Sequence, residues 1–403
     1  MDFPTQRATD RRAAVPGGTD LYDMRDHLTP RRLTLAMWDQ AFVLRHGPGG
    51  SFADFDRVLD ETVERGYNTV RLDPMPQWID LAQPGKVLAW PDPKMPLMPW
   101  GWNTAVEGPV GAWMIEFMEK LLARPFLNYT LSAWWFCNVP PALHCQGPTV
   151  LRLPRNHEEG AEMWITLLRE WNRRFGFERL VYLDLANEVP YFLPGFLERL
   201  QAATGAGWGV AAFSPAQCDF IAQELNGALR LLRREFPELR YTCSIHGDLR
   251  WLDVPVEFDC LDVHFYADAD PRWGDRTRFA EHMGELFTAD SWHADFSRRC
   301  NVTRDAIAPM LRARQRHKVA QFAAWAQQRG APLTTSESWA SWYCFDAPDL
   351  DWGWLLEWAS WSVEDAIDHK MWGWTPHNYV QPQFRNWQDV KWHQKLTQRF
   401  LQS

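Results

Sequence analysis

The chain of 403 residues predicts an α/β fold, a single (β/α)8 TIM barrel with long loops after its strands. Two observations carry that prediction. Short apolar runs alternate with longer stretches of helical periodicity, the pattern of a parallel sheet whose crossovers are helices. The runs number eight, and nothing between them reads as a repeat, a low-complexity tract or a linker. Residues 1–403 therefore read as one catalytic domain, with 1–30 as an N-terminal extension packed on or near the barrel.

The elements follow in order. Residues 33–38 form the first strand. Ser51-Phe52-Ala53-Asp54 opens a helix with a capping residue, and Phe55, Val58, Leu59, Thr62 and Val63 keep helical spacing until Gly66 ends it. Strand two spans 68–73, a Pro- and Trp-rich loop 74–108, and a helix 110–124. Strand three (127–135) and a helix over 157–175 lead to strand four, which runs from 180 to Glu188. A helix over 215–236 precedes strand five (241–246), and a short link leads to strand six (260–266). Residues 267–303 read as a second long loop, followed by a helix over 305–329. Strand seven ends on Glu337, a helix covers 354–369, strand eight covers 371–375 and a last helix 387–401.

Composition narrows the function. Hydrophobic residues make up 46% and charged residues 23%, enough for a large core. A net charge of −9 with only short basic runs argues against nucleic acid or an anionic membrane as partner. No apolar run approaches the ~18 residues of a membrane span. The amino terminus lacks a signal-peptide pattern. Seven scattered cysteines with no C-x-x-C pair read as reduced thiols of a cytoplasmic protein. The 25 tryptophans suit both a large core and a cleft that stacks sugar rings, and the apolar helices leave room for a homo-oligomer.

Two glutamates stand out, Glu188 and Glu337, each closing a strand-like run. A carboxyl at a barrel strand's end points into the mouth, where chemistry can reach it. Glycoside hydrolysis needs two such groups, one to protonate the leaving oxygen and one to attack or to activate water. Arg71, on an otherwise apolar strand, calls for a carboxylate partner.

Four motifs in strand order carry a resemblance. Gly66-Tyr67-Asn68-Thr69-Val70-Arg71-Leu72 resembles the second-strand motif of family 5 glycoside hydrolases. Asn187-Glu188-Val189-Pro190 is similar to their Asn-Glu-Pro with one residue inserted, and His264-Phe265-Tyr266 to their His-x-Tyr. With Glu337 ending strand seven, the chain looks like clan A of the retaining glycosidases, most similar to cellulase-like proteins of family 5.

The resemblance implies a retaining β-glycosidase acting on β-linked oligosaccharides or small glycosides. In it Glu188 is the acid/base, its pKa held up toward neutrality, and Glu337 is the ionised nucleophile. Arg71 and Tyr266 would orient Glu337, His264 would contact substrate or the acid/base, and Asn187 would bond the 2-hydroxyl. Trp374 would be the aromatic floor, with Trp372 as its alternative, and Trp38 and Trp339 join it as substrate-binding candidates. No cofactor and no metal are implied, and carbohydrate is the partner. Where the family often has a strand-three histidine, this chain has Ser132-Ala133-Trp134-Trp135. A non-catalytic cellulase-like sugar-binding protein is the alternative, and a metal site at Asp262, His264, Asp268 and Asp270 is a remoter one. The two long loops would wall off one end of the cleft and favour exo action.

Overall fold

A computed structural model describes residues 23–92, 104–135, 152–193, 195–278, 292–339 and 346–403. Its strands are β1 (Leu33–Met37), β2 (Thr69–Leu72), β3 (Leu88–Trp90), β4 (Val106–Gly108), β5 (Asn128–Leu131), β6 (Leu180–Asp184), β7 (Tyr241–Thr242), β8 (Ile245–His246), β9 (Leu261–Tyr266), β10 (Leu333–Thr334), β11 (Ser338–Trp339) and β12 (Gly373–Trp374). A six-stranded sheet runs β12-β1-β2-β5-β6-β7, and a four-stranded one places β9 between β8 and the pair β10 and β11. All these pairings are parallel. Backbone bonds join the two sheets at both margins. At one, Asp259 N–H donates to the Tyr241 carbonyl (2.9 Å); at the other, Trp372 N–H donates to Leu333 (2.7 Å). The result is a strongly curled parallel sheet.

Helices pack outside it: α1 (Phe55–Glu64), α2 (Val110–Leu122), α3 (His157–Phe175), α4 (Phe196–Thr204), α5 (Pro215–Glu235), α6 (Pro271–Thr277), α7 (Trp292–Arg329), α8 (Gly353–Asp368) and α9 (Val390–Leu401). Local chemistry starts them where expected. Asp54 accepts the Arg57 amide at the start of α1, and Ser214 with Gln217 closes a reciprocal capping box on α5. Strands β1, β2 and β6 are buried along their whole length, as parallel strands covered on both faces must be.

Three departures from the sequence reading have physical causes. The loop expected over 267–303 contains α6 and the first turns of α7. The opening of α7 is rich in Asn, Thr, Cys and Asp, poor helix formers, yet it buries Phe296, Cys300 and Thr303 at i, i+4, i+7, so packing overrides propensity. The other long loop holds the antiparallel hairpin β3–β4; its residues 93–103, like 279–291 of the second, lie outside the described residues. Strand four ends at Asp184, four residues before Glu188, because the chain bends away there into a turn. Among the described residues no helix is long and apolar enough to cross a membrane. The described cysteines, Cys218, Cys243, Cys260 and Cys300, are buried and free.

Candidate active site

Side chains on a strand alternate between faces, so Asp262, His264 and Tyr266 of β9 form one inward stripe. His246 of β8 stands in register with His264 and shares that face. On β2, Arg71 points inward while Val70 and Leu72 join the apolar core. The polar residues left inside the sheet find one another at the C-terminal ends of the strands.

Arg71, 1% exposed, is the hub. Its Nη1 lies 2.6 Å from Glu337 Oε1 and donates to Ser336 Oγ at 2.9 Å. Its Nη2 donates to Asn187 Oδ1 at 2.5 Å, and its Nε to Asp73 Oδ1 at 3.2 Å. The second oxygen of Glu337 accepts the Tyr266 hydroxyl at 2.6 Å. Both oxygens of this carboxylate are therefore in close contact with a partner, one in an ion pair with the Arg71 guanidinium and one bonded to a phenol. Asp262 fixes the turn before it, accepting the Ser336 amide (2.8 Å) and hydroxyl (2.6 Å).

Glu188 is presented differently. Its backbone sits at φ +48°, a left-handed conformation uncommon for a residue with a side chain. Neighbouring bonds hold it there: Asn187 N–H donates to Ala133 O (2.8 Å), Glu188 N–H to Ser244 Oγ (2.9 Å) and Val189 N–H to Ser244 O (3.1 Å). The carboxyl lies between two imidazoles, with His264 Nδ1 2.8 Å from Oε1 and His246 Nε2 3.0 Å from Oε2. His264 Nδ1 is also 4.0 Å from Glu337 Oε2. One ligand atom each of Glu188, His264 and Glu337 fall within 4.8 Å of one another. Such a grouping could hold a cation, although Arg71 and Tyr266 already occupy the oxygens of Glu337.

The electrostatics of the free site reverse the expected pKa order. Burial opposes the charge of Glu188, but His246 and His264 outweigh it and hold the carboxyl below its ordinary range. Burial raises Glu337, against the pull of Arg71 and His264 and with a push from the nearby Glu188. His264 is raised: burial favours its neutral form, but Glu337, Glu188 and Asp262 together favour the cation. The two glutamates are close enough to titrate as a pair. Below them Asp184 is lifted from 3.8 to about 7, chiefly by burial.

The family described as sugar-binding cellulase-like matches residues 35–401. This chain belongs to the cellulase-like family. The clan A relationship expected from the four motifs is thereby borne out. Among solved structures the cellulase-like chain is similar to a protein from Parabacteroides distasonis, provisionally assigned as a glycoside hydrolase, at 23% identity and a TM-score of 0.73. That match covers 92% of this chain and 93% of the other. An endoglucanase from Thermotoga maritima matches at 11% identity and a TM-score of 0.51, covering 94% of this chain and all of the other. Both likenesses show a common fold. No curated protein sequence matches.

In the cellulase-like chain, Arg71, Asn187, Glu188, His264, Tyr266 and Glu337 converge. The tryptophans do not join them. Trp374 is fully buried, donates its Nε1–H to Ser362 Oγ of α8 (2.7 Å) and packs on Phe400 of α9. Trp372 lies in a small core cluster with Tyr182, its Nε1–H bonded to Pro30 O. Trp38 packs among Phe42, Phe52 and Phe117, and Trp339 is 1% exposed and stacked on Phe265. As indoles in the core they fill space between sheet and helices, which strand-end position alone does not reveal. The remote metal quartet does not assemble either: Asp262 is bonded to Ser336 and Tyr182, and Asp270 caps α6 and pairs with Arg314.

Sequence reading missed His246, which ends the fifth expected strand and carries the same positional signal as Glu188. It also missed Ser132, Asp184 and Ser244, polar residues at the ends of apolar runs. Ser132 stands in the strand-three region where the family often has a histidine, donating to Asp184 Oδ2 at 2.7 Å with Arg71 Nη2 3.4 Å away.

Proposed function

We propose that this chain is a glycoside hydrolase that works with retention, cleaving β-linked oligosaccharides or small glycosides by double displacement. In this reading the two sheets close as one (β/α)8 barrel in a single domain, consistent with the backbone bonds at both margins. The observation that carries the proposal is the meeting of Glu188, His264 and Glu337 within 4.8 Å. Retaining enzymes hold their carboxyl groups about 5–5.5 Å apart, whereas inverting ones leave roughly 6.5–9.5 Å for a water.

Glu337 is the nucleophile. Arg71 and Tyr266 contact both of its oxygens, which aims the carboxylate and keeps it anionic once Glu188 is protonated and the repulsion between them ends. Glu188 gives that proton to the leaving oxygen as Glu337 bonds the anomeric carbon. Glu188 then takes a proton from the water that releases the sugar. His264 and His246 stabilise the carboxylate formed in the first step. Asn187 Oδ1 is held by Arg71, while its buried Nδ2 has no hydrogen-bond partner among the described residues, which suits a bond to the 2-hydroxyl.

The test is hydrolysis of a panel of aryl α- and β-glycosides by wild type, Glu337→Ala and Glu188→Ala, each variant with and without azide. The expected result is β-glycoside turnover lost in both variants. Azide then rescues Glu337→Ala to a glycosyl azide of inverted configuration and Glu188→Ala to one of retained configuration. Rescue to the same configuration in both would overturn the role assignment. A wild type silent on every glycoside, oligosaccharides included, would leave sugar binding without hydrolysis.

A further inference from the structure

We propose that Ser244 is a positioning residue for the acid/base Glu188, holding its carboxyl in reach of the leaving oxygen and tying its placement to that of Glu337. The two roles are those of the glycosidase reading, on which the proposal rests; its substance is backbone geometry. Strands β6 and β7 pair in parallel, and beyond Asp184 their ladder is interrupted. Leu185 N–H donates to Thr242 O (2.9 Å), and the ladder resumes with Val189 N–H to Ser244 O (3.1 Å). One chain advances four residues, 185 to 189, where its neighbour advances two, 242 to 244. The surplus forms a bulge, which re-aims side chains and is frequent beside active sites. Asn187 and Glu188 stand in it, and the left-handed φ of +48° at Glu188 is its turning point.

A bulge takes backbone groups away from their ladder partners, and an unpaired buried amide is costly. Asn187 N–H turns to Ala133 O on the other side (2.8 Å), whereas Glu188 N–H finds the Ser244 hydroxyl (2.9 Å). Ser244 is fully buried, and each of its polar groups serves the stretch 184–189. Its N–H donates to Asp184 Oδ1 (2.8 Å) and its carbonyl accepts from Val189. Its hydroxyl, besides accepting from Glu188, donates to Asn187 Oδ1 at 3.3 Å. Asn187 Oδ1 also accepts from Arg71 Nη2, and Arg71 Nη1 meets Glu337 Oε1. One line of contacts thus runs from the amide of the acid/base to the carboxylate of the nucleophile.

Location gives this hydroxyl its leverage. Ser244 lies between β7, of the six-stranded sheet, and β8, of the four-stranded one. Two residues on, His246 places Nε2 3.0 Å from Glu188 Oε2. The segment 244–246 therefore meets Glu188 at both ends, its amide and its carboxyl. With the hydroxyl removed, the Glu188 amide loses its acceptor, the bulge relaxes, and the carboxyl leaves its place between two imidazoles. Proton donation suffers first, because it needs the acid within hydrogen-bond reach of the departing oxygen, whereas Glu337 keeps Arg71 and Tyr266.

The test compares wild type with Ser244→Ala and Ser244→Cys. Cysteine keeps the side-chain size with a much weaker acceptor, and carries the comparison if the alanine variant does not fold. Phenyl and 2,4-dinitrophenyl β-glycosides of glucose, mannose and galactose are the substrates, since phenolate needs a proton to depart and dinitrophenolate does not. The result expected is that kcat/KM for the phenyl glycoside falls roughly tenfold in Ser244→Ala while that for the dinitrophenyl glycoside is nearly kept, with Ser244→Cys between wild type and alanine. An equal fall on both substrates, the mark of general damage, or no fall on either would overturn the proposal. Crystal structures of the variants give a readout free of turnover. Glu188 should lose contact with at least one imidazole, and an unmoved carboxyl overturns the proposal whatever the rates. A wild type that hydrolyses no glycoside, with Glu188 displaced in the variants, sinks the glycosidase reading and leaves the positioning by Ser244 standing.

Discussion

Replacing Asp184 with asparagine is expected to stabilise the protein at neutral and alkaline pH, the opposite of what altering a buried, bonded side chain usually does. The carboxyl is 1% exposed; Oδ2 accepts the Ser132 hydroxyl at 2.7 Å and Oδ1 the Ser244 amide at 2.8 Å. Burial nevertheless outweighs Arg71 and both of these bonds, and lifts the pKa from 3.8 to about 7. A folded pKa above the unfolded one means the native state keeps a proton that the unfolded chain releases. The stabilisation is full below pH ~4 and is lost as pH rises through about 7, at about 1.4 kcal/mol per pH unit, about 4 kcal/mol in all. Asparagine does not titrate. Its Oδ1 can keep the Ser244 amide, and its Nδ2 can donate to Ser132 Oγ once that hydroxyl turns. Urea unfolding of both proteins at pH 4, 5, 6, 7 and 8 reads the difference directly, free of every group they share. The variant should gain on wild type steadily up to pH ~7 and then level off. A difference independent of pH, or one that shrinks as pH rises, would refute the reasoning.

Arg71→Met should be the most damaging single change in the site. It leaves Glu337 and Asp73 buried without their cation, a loss of about 3–5 kcal/mol in thermal or urea unfolding, and it should abolish detectable glycoside turnover. Arg71→Met with normal stability and turnover would contradict the hub assignment. His393 works in the acid range: burial and His377 depress it from 6.5 to about 3 while it bonds the Tyr67 hydroxyl (2.7 Å) and the Asn386 carbonyl (2.9 Å). A depressed folded pKa gives stability that is present above pH ~6.5 and lost as pH falls toward 3. Melting temperatures of His393→Gln at pH 7 and pH 4 should therefore differ less than those of wild type.

The alternation of strands and helices, and several helix starts, were readable from the chain because they rest on local chemistry. Apolar runs bounded by Gly66 and by capping residues such as Asp54 and Ser214 act within one turn of themselves. The carboxyl pair was readable for a related reason: a glutamate a few residues past an apolar strand has few places to point. The start of α7 was not, since its residues disfavour helix and only burial of Phe296, Cys300 and Thr303 against the rest of the molecule supports it. Nor was the fate of Trp374, because a tryptophan at a strand end satisfies the pattern of a sugar platform and of a core filler equally well. Packing on Phe400 and the bond to Ser362 decide for the core. Sequence determined that Arg71, Glu188, His264, Tyr266 and Glu337 are candidates for one site and roughly where they lie along the chain. Only the tertiary structure decided that His246 stands in register with His264 and pins Glu188 from the other side, and that Glu337 is the carboxyl raised in the free site. Charges interact through distances of 2.6 to 4.0 Å at the strand ends of the curled sheet, and those distances are set by strand register and burial, which no local stretch of the chain encodes.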